Sequence, residues 1–386
     1  MAVTVIDTNN KLIRFTQDIN REYVQENGFS PYMGEGLTAV IRIRNELKAG
    51  GEDMNIPIVT RLRGAGVATT TLVGNEEKID NYGMRLRMEW ARNAVVTTKA
   101  ESHKDSADIF GEAKPLLSDW GKELQRDEII AALMALPTET LPASSSGVRV
   151  NGIQYDLATA PQRDQWNVDN KDRILYGAAT SNWSSVHATS LGNVDGTADK
   201  FTATNLSLMK RMAMNADPHI RPYKTVDNVY EGFIVCAGTN TFRDLKISLE
   251  TINKDARPRE EGFRNNPIFR DGDQIYDGCI VRMIPQISQF VDQIWTTLLT
   301  AGAAGTPAGY TGRVEPVFLL GQQAAVFGWG QMAKPTFRKE DDYGFITGTG
   351  VEMAYGISKI FKKHPNTGTR LVQWGVLTGF FATSAD

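Results

Sequence analysis

The stretch between residues 52 and 98 constrains the fold more than any other part of the chain. Apolar residues recur there at every second position in two runs, which predicts two β-strands. The second run loses its alternation at Arg92, where we expect the strand to stop. The apolar positions of the two runs are Met54, Ile56, Ile58 and Leu62, and then Met84, Leu86, Met88 and Trp90.

A segment rich in Gly, Thr and Asn separates the two runs, so they are expected to form the arms of one long hairpin. Its second face is charged and carries Arg61, Arg63, Arg85, Arg87 and Glu89. An isolated two-stranded ribbon is at best marginally stable in water. The apolar face must therefore be covered, either by this chain's own core or by another copy, and the sequence leaves both open.

A single long helix is expected after the hairpin. Apolar residues at i, i+3 and i+4 spacing predict it over residues 106–136, with Ser106 as the N-cap and Asp108 in the first turn. At 1.5 Å per residue such a helix is about 45 Å long. Pro115 falls in its predicted interior, where proline bends a helix.

The remaining elements mix helices and strands without a regular βαβ alternation, which predicts an α+β fold. A short helix over 37–48 is expected to stop at Gly50 and Gly51, and residues 138–200 are expected to form loops and short strands. The other expected elements are helices around 206–213 and 242–249, strands over 230–237, 276–285, 351–361 and 370–383, and a buried strand or helix over 314–330.

Composition excludes several classes of protein. The chain has 386 residues with 42 Lys and Arg against 45 Asp and Glu, and a net charge of −3 argues against a duplex-DNA reader with a basic footprint. Two cysteines exclude a disulfide scaffold. No secretory signal and no run of about 20 predominantly apolar residues is present. We therefore expect a soluble protein of a reducing compartment with no membrane partner.

No motif for catalysis or metal binding is recognisable. The chain has no phosphate-binding loop, no HExxH and no GxSxG, and its histidines are scattered. Cys236 and Cys279 lie in apolar runs, where cysteine packs as a small hydrophobe. Trp90 falls on the opposite face of the predicted strand from Arg85 and Arg87, which argues against a base-stacking platform for nucleic acid. We predict no catalytic, cofactor or metal site.

Five blocks of sequence are spread in order over residues 56–361. They are IPIVTRLRGAGVATTTLVGNEEKI at 56–79, DIFGEAKPLLSDW at 108–120, NPIFRDGDQIYDGCIVRMIP at 266–285, FLLGQQAAVFGWG at 318–330 and DYGFITGTGVEMAYGISKIF at 342–361. Together they resemble the major capsid protein of tailed double-stranded DNA phages, in its podovirus-type branch. Each block is weakly specific, and the five in this order are more so.

This resemblance implies an α+β fold of the Hong Kong 97-like type, divided into five parts. The parts are an N-terminal arm (1–50), an extended loop that is a two-stranded hairpin (51–99), a long spine helix with a peripheral domain (100–225), an axial domain (226–345) and C-terminal strands that return to the peripheral and axial core (346–386).

The resemblance further implies a structural protein without catalysis, whose copies form hexamers and pentamers of an icosahedral head around double-stranded DNA. The hairpin would then lie across a neighbouring subunit. Gly111, Pro115 and Gly121 would let the spine helix bend as a subunit adapts to a hexamer or a pentamer position. The candidates for contacts between subunits are Arg61, Arg63, Asn75, Glu76, Glu77, Lys78, Arg85, Arg87, Glu89 and Arg92.

The partners that the resemblance implies are further copies of the chain, a separate scaffolding protein, a portal and packaged DNA contacted without sequence specificity. A decoration or cement protein is a further candidate partner. The expected location is the virion capsid, after assembly in the host bacterial cytoplasm. Two other readings stay open at this point: an encapsulin-type protein shell, and a soluble α+β enzyme whose site cannot be read from sequence.

Overall fold

The computed structural model describes residues 28–384 apart from 65, 105–108, 225–230, 256–272, 304–305, 307–311, 339–341 and 365–369. The described chain forms two compact units. The smaller unit contains Ala91–Gln125 and Met332–Met353, and the larger unit contains Gly28–Trp90, Arg126–Gln331 and the chain from Ala354 onward. Ser106, Asp108 and the first 27 residues of the predicted N-terminal arm lie outside the described residues.

The strands form two larger sheets and two separate pairs. The strands are β1 (Met33–Gly34), β2 (Ile41–Arg44), β3 (Asp53–Val59), β4 (Asn81–Arg87), β5 (Glu89–Thr98), β6 (Val150–Asn151), β7 (Ile174–Tyr176), β8 (Tyr223–Lys224), β9 (Glu231–Ala237), β10 (Gln274–Tyr276), β11 (Cys279–Met283), β12 (Val314–Leu320), β13 (Ala325–Phe337), β14 (Ile346–Lys359), β15 (Phe361–Lys363), β16 (Leu371–Gln373) and β17 (Val376–Ala382). One sheet has the order β1-β2-β13-β14-β5, with β6 beside β14. The other has the order β10-β11-β9-β12-β17-β7, with β8 beside β9. The two separate pairs are β3 with β4 and β15 with β16.

The helices confirm the mixed α+β class. Two of them, α5 (Ala203–Asn215) and α6 (Thr239–Asp255), pack with the second sheet around an apolar core, and they confirm the helices predicted around 206–213 and 242–249. The α-helices of the described chain are α1 (Lys99–Lys104), α2 (Ala113–Met134), α3 (Ala160–Asp169), α4 (His187–Gly192), α5 (Ala203–Asn215), α6 (Thr239–Asp255), α7 (Pro285–Gln293) and α8 (Thr296–Leu299).

The predicted hairpin is confirmed as β3 paired antiparallel with β4, in a register that joins Asp53 to Arg87 and Val59 to Asn81. Five of the eight side chains that the alternation assigned to its inner face are buried there, whereas Leu62 lies beyond the end of β3 and is exposed, which corrects its predicted place on the apolar face. These inner-face residues are Met54, Ile56, Ile58, Met84 and Leu86.

The apolar face of the paired strands is covered by this chain's own core. It packs in one cluster with Leu47, Val326, Ile360 and Phe361. The expectation that this face would lie across a neighbouring subunit is therefore wrong for β3 and β4. Three of these four covering residues lie about 240 to 300 positions later in the chain, so a local pattern could not reveal them.

The second arm breaks at Met88, which separates β4 from β5. The prediction that one strand continues from residue 84 to Arg92 is wrong: β4 ends at Arg87, and β5 runs on to Thr98. A one-residue slip exchanges the faces of a strand. Glu89 is consequently turned inward and is 8% exposed, whereas Trp90, predicted to be on the apolar face, is 49% exposed.

Helix α2 begins at Ala113 and has 22 residues, so it is about 33 Å long. Pro115 is its third residue and not part of its interior, which corrects the predicted bend at this position. The first N–H groups of a helix have no intrahelical acceptor, so proline costs little there. A 3₁₀-helix, Ile109–Glu112, precedes α2.

Two other local predictions are corrected, and a third, which left strand and helix open, is confirmed as strand. The helix expected over 37–48 is strand β2, because Ile41 is buried in parallel pairing opposite Ala325. The strand expected over 276–285 is the hairpin β10–β11, turned at Asp277 and Gly278 with positive φ at both, followed by α7. The 314–330 segment contains strands β12 and part of β13 and no helix.

Residues 138–200 are more ordered than the expected loops and short strands. Helix α3 starts with a capping box in which the Thr159 N–H donates to the Gln162 side chain. Polar residues dominate this helix, which concealed its periodicity in the sequence.

A buried histidine lies between two tyrosines beside α3. The Oη–H of Tyr176 donates to Asn167 Oδ1 at 3.0 Å, so its oxygen accepts from the Nδ1–H of His187 at 2.6 Å. The Nε2 atom of His187 then accepts from the Tyr155 hydroxyl at 2.7 Å. This chain of bonds uses both ring nitrogens of a neutral imidazole, and burial lowers the pKa of His187 from 6.5 to about 3.

Folding stability is expected to fall on acidification because of His187. The unfolded histidine binds a proton below pH 6.5 and the folded one does not, so the free energy of unfolding decreases by about 1.4 kcal/mol per pH unit from 6.5 toward 3. His187→Gln should flatten this part of the profile in denaturant titrations from pH 4 to 8. Parallel profiles for the two proteins would contradict the assignment. Should the variant not fold, ¹⁵N shifts of the wild-type ring must show the neutral Nδ1–H form at pH 5.

Gly356 lets β14 approach the hairpin. A Cβ at this position would collide with the backbone carbonyl oxygen of Arg87, and backbone cannot move aside cheaply. We expect Gly356→Ala to lower the free energy of unfolding by about 1–3 kcal/mol, the usual cost of overpacking. The matched control is Gly36→Ala, whose Cβ meets only Thr38 Oγ1 at 3.8 Å. Equal unfolding midpoints for the two variants would refute the close approach.

Candidate intersubunit surface

Beyond the paired strands, residues 61–79 continue the hairpin as an exposed segment, here called the loop tip. It has no strand structure among its described residues, and large apolar side chains point to solvent. Val73 is 79% exposed. The other large exposed apolar residues of the loop tip are Leu62, Leu72 and Ile79. An apolar surface of this kind typically marks a contact site.

The base of the loop tip is held by a buried lysine. Asp80 accepts a hydrogen bond from the Thr60 hydroxyl at 2.9 Å and one from Lys362 Nζ at 2.8 Å. Lys362 is 1% exposed, so its ammonium needs this carboxylate. The bond from Lys362 lowers the pKa of Asp80, which keeps this carboxylate ionised at neutral pH.

A second anchor joins the loop tip to the turn after α5. The Arg63 guanidinium forms two bonds to the Asp217 carboxylate, at 2.8 and 2.5 Å, and these bonds lower the pKa of Asp217. His364 Nε2 lies 3.6 Å from the same carboxylate. Two-point arginine–carboxylate pairs fix orientation as well as position. The first residues of the loop tip are thereby oriented on their own chain.

The two sides of the loop tip are joined by Glu77. Its carboxylate accepts from the N–H groups of Arg63 and Gly64, at 2.5 and 2.7 Å, and these bonds lower its pKa. A tight turn closes the far end, where Asn75 Nδ2 donates to the carbonyl of Thr71 at 2.9 Å. These bonds give the loop tip a defined conformation.

The charged face of the paired strands is neutralised within the chain. Asp53 accepts from Arg85 Nη2 and Arg87 Nε, both at 2.7 Å, and the bond from Arg87 is the main cause of its lowered pKa. Arg87 also donates to the carbonyl of Pro142 at 2.8 Å. Glu89 accepts from the N–H of Ser145 at 2.7 Å. These residues brace the hairpin against the rest of the larger unit.

The ten sequence candidates therefore divide into two groups. Five have partners elsewhere in the chain or across the loop: Arg63, Glu77, Arg85, Arg87 and Glu89. The other five are exposed, and in the described chain their side chains bond to nothing beyond their own segment: Arg61, Asn75, Glu76, Lys78 and Arg92. Contact of any of the ten with a neighbouring subunit stays a prediction.

The smaller unit carries a groove that sequence reasoning missed, here called the helix groove. It has a volume of about 310 Å³ and lies between α2 and strands β13 and β14. Lys114 and Lys122 supply positive charge, and Leu117 and Val351 supply apolar walls. Thr349, 4% exposed, lines it with a buried Oγ1 that has no hydrogen-bond partner in the described chain.

A signal for this groove was present in the sequence. Lys114, Leu117, Gly121 and Lys122 are spaced by three, seven and eight residues, which places them on one face of a helix. The strand residues opposite them lie more than 200 positions away, so the groove itself could not be inferred.

The structure shows no arrangement for metal chemistry among the residues that it describes. Within the described ranges, no group of three or more His, Cys, Asp or Glu side chains is close enough to hold an ion. Cys236 and Cys279 are free and buried, as predicted, and burial raises the pKa of each thiol to about 12. In the described ranges, every helix is too short or too polar to cross a membrane.

Comparisons with known proteins agree with one another. A family model described as phage capsid protein matches residues 8–378. The capsid asymmetric unit of cyanophage Pam1 is 31% identical, with a TM-score of 0.83 and 100% of both chains covered. The capsid of Ralstonia phage GP4 is 15% identical, with a TM-score of 0.67, covering 100% of this chain and 99% of that one. The head of Helicobacter pylori bacteriophage KHP40 is 14% identical, with a TM-score of 0.66 and coverage of 99% and 100%. No curated protein sequence matches the chain.

Asp80→Ala is expected to release the loop tip from its base. It leaves Lys362 buried without a carboxylate, which should lower the free energy of unfolding by about 1–3 kcal/mol. Trypsin should then cut after Arg61 several-fold faster than in the wild type, measured by mass spectrometry of timed digests.

The matched control is Glu76→Ala, which also removes one exposed carboxylate but whose side chain bonds only to the N–H of Gly74. It should leave both stability and cutting after Arg61 unchanged. Equal cutting rates in the two variants would show that Asp80 does not anchor the loop.

Proposed function

Because the chain belongs to the phage capsid protein family and is a structural major capsid protein of an icosahedral phage head, we propose that its copies form hexamers and pentamers in which the loop tip of one copy occupies the helix groove of the next. The α+β, Hong Kong 97-like fold is that of its structural neighbours. The chain shares 31% sequence identity with a phage capsid chain over its whole length, which favours a phage head over an encapsulin-type shell or an enzyme.

The observation that carries this proposal is the complementary character of the two surfaces. The loop tip presents Glu76 among exposed apolar side chains, and no described residue of its own chain covers them. The helix groove presents Lys114 and Lys122 beside apolar walls. An apolar loop with the exposed carboxylate of Glu76 at its turn and an apolar groove with two lysines are complementary surfaces that two copies of the chain can bring together.

Apolar burial would supply most of the free energy of this contact. Burying a Leu or Val side chain is worth roughly 1.5–3 kcal/mol, and the loop tip exposes several. Each exposed ion pair contributes roughly 0–1 kcal/mol, so the charges would select the neighbour and its register. Thr349 in the groove would gain the hydrogen-bond partner that it lacks in the described chain.

The exposed candidates of the sequence analysis fit this arrangement. Arg61 and Lys78 flank the loop tip, Asn75 and Glu76 lie at its turn, and Arg92 is exposed on β5. We propose them as contacts between subunits, whereas Arg87 and Glu89 support the hairpin from within the chain. The five-part domain division by residue ranges remains part of the same proposal.

The finer partners follow from the resemblance to podovirus-type capsid proteins. We propose that a separate scaffolding protein guides assembly in the host bacterial cytoplasm, that a portal and, in some heads, a decoration protein join the shell, and that the packaged DNA is contacted without sequence specificity. A structural family favours a role without catalysis. The protein itself is a component of the virion.

Charge reversal across the proposed contact tests it directly. Glu76→Lys or Lys122→Glu alone should reduce the yield of closed shells several-fold, because each places like charges together. The two changes in one chain should restore the yield, since the pair is re-formed with opposite polarity. Sedimentation and negative-stain microscopy, with scaffold supplied, measure the outcome.

The control is Lys48→Glu, an equal charge change at an exposed residue outside both surfaces, which should assemble as the wild type does. Failure of the double variant to recover, with both single variants folded, would refute this contact. A wild-type chain that stays monomeric under every condition would instead refute self-assembly.

A further inference from the structure

A small pocket in the larger unit brings three arginines together. Arg42, Arg44 and Arg221 line it together with Gln323 and Trp374, and its volume is about 140 Å³. Pockets for organic ligands are usually about 300–1,000 Å³, so this volume suits a small group. We call it the arginine pocket.

Strand β2 supplies two of the three cations. Arg42 and Arg44 are two residues apart, so they share one face of the strand. Ile41, on the other face, is buried in the core, and the parallel pairing of Arg42 with Val326 fixes the register. The two guanidinium groups therefore extend from a backbone that cannot shift to separate them.

A tight turn between β12 and β13 positions the third arginine. The N–H of Gln322 donates to the carbonyl of Arg221 at 2.8 Å. Gln323 donates from its N–H to the carbonyl of Ala39 at 2.9 Å and from its side chain to the carbonyl of Leu37 at 3.0 Å. Gly321 has no room for a side chain against the Arg221 carbonyl, so the backbones meet closely.

The cations of the pocket outnumber the acids near them. Glu46 pairs with Arg44 at 2.8 Å, whereas Arg42 and Arg221 have no ion pair within the described residues. The Nε atoms of Arg42 and Arg44 are buried and find no acceptor there. Burial, and then repulsion from Arg44, lowers the pKa of Arg42. In the part of the chain that the structure describes, two positive charges are therefore left without a counter-charge.

We infer that the arginine pocket binds a phosphate group. Guanidinium forks match phosphate oxygens in pairs, and the unpaired Nε–H donors point to a missing acceptor. A phosphate monoanion or dianion supplies the negative charge that Glu46 does not. The group is either free inorganic phosphate or a phosphate of packaged DNA, and the inference does not depend on the contact between loop tip and groove.

The test uses the purified, unassembled chain and inorganic phosphate, compared with chloride at equal ionic strength. Phosphate should raise the unfolding temperature and saturate with a measurable Kd in calorimetry. Arg221→Gln should weaken binding at least ten-fold, and Arg42→Lys several-fold, because lysine keeps the charge and loses the fork. The matched control, Arg211→Gln, removes an exposed arginine outside the pocket and should bind as the wild type does.

Two further experiments identify the source of the phosphate group. A short DNA duplex that binds with an affinity dependent on Arg221 and falling with salt would assign the site to packaged DNA; binding of inorganic phosphate alone would assign it to the free ion. Equal phosphate binding by all variants would overturn the inference, since phosphate then acts only as a general stabiliser. Equal stabilisation by acetate would also overturn it, in favour of a carboxylate from another copy.

Discussion

Burial of one face of a two-stranded hairpin is the interaction on which the rest of the structure depends. Met54, Ile56 and Leu86 pack against Val326 and Phe361, which belong to the last third of the chain. At roughly 1.5–3 kcal/mol for each fully buried side chain, this contact exceeds anything the surface charges of the hairpin contribute. It converts a ribbon that is marginal by itself into a fixed base for the loop tip.

Charged residues at the base of the loop tip specify geometry more than they add stability. Lys362 and Asp80 form a pair with one member buried, and Arg63 reaches Asp217 through two bonds. Such pairs add little net stability, because desolvation offsets most of the attraction, but they are costly to break and therefore specify one geometry. The apolar core holds the hairpin in place, and the ion pairs determine the direction in which the loop continues.

A shell subunit differs from a self-sufficient enzyme in what it leaves unsatisfied. The loop tip keeps apolar side chains such as Val73 in solvent, the hydroxyl of Thr349 in the helix groove has no partner among the described residues, and the arginine pocket has excess positive charge. Each feature costs free energy in the isolated chain, since exposed apolar surface and unpaired buried groups are both unfavourable. Association with other copies or with an anion relieves that cost.

Local patterns in the sequence determined the α+β class, the two hairpin arms, the helices around 206–213 and 242–249, and the exposed charged candidates near Lys78, because period two and period 3.6 reflect geometry within one element. Resemblance of sequence blocks supplied the family. Only the tertiary structure decided which side chains cover the hairpin, where Met88 inverts the strand faces, that the segment expected over 37–48 is a strand, and that Arg221 joins Arg42 in one pocket. These features depend on residues that are distant in sequence and meet only after folding, so no periodicity within one segment records them.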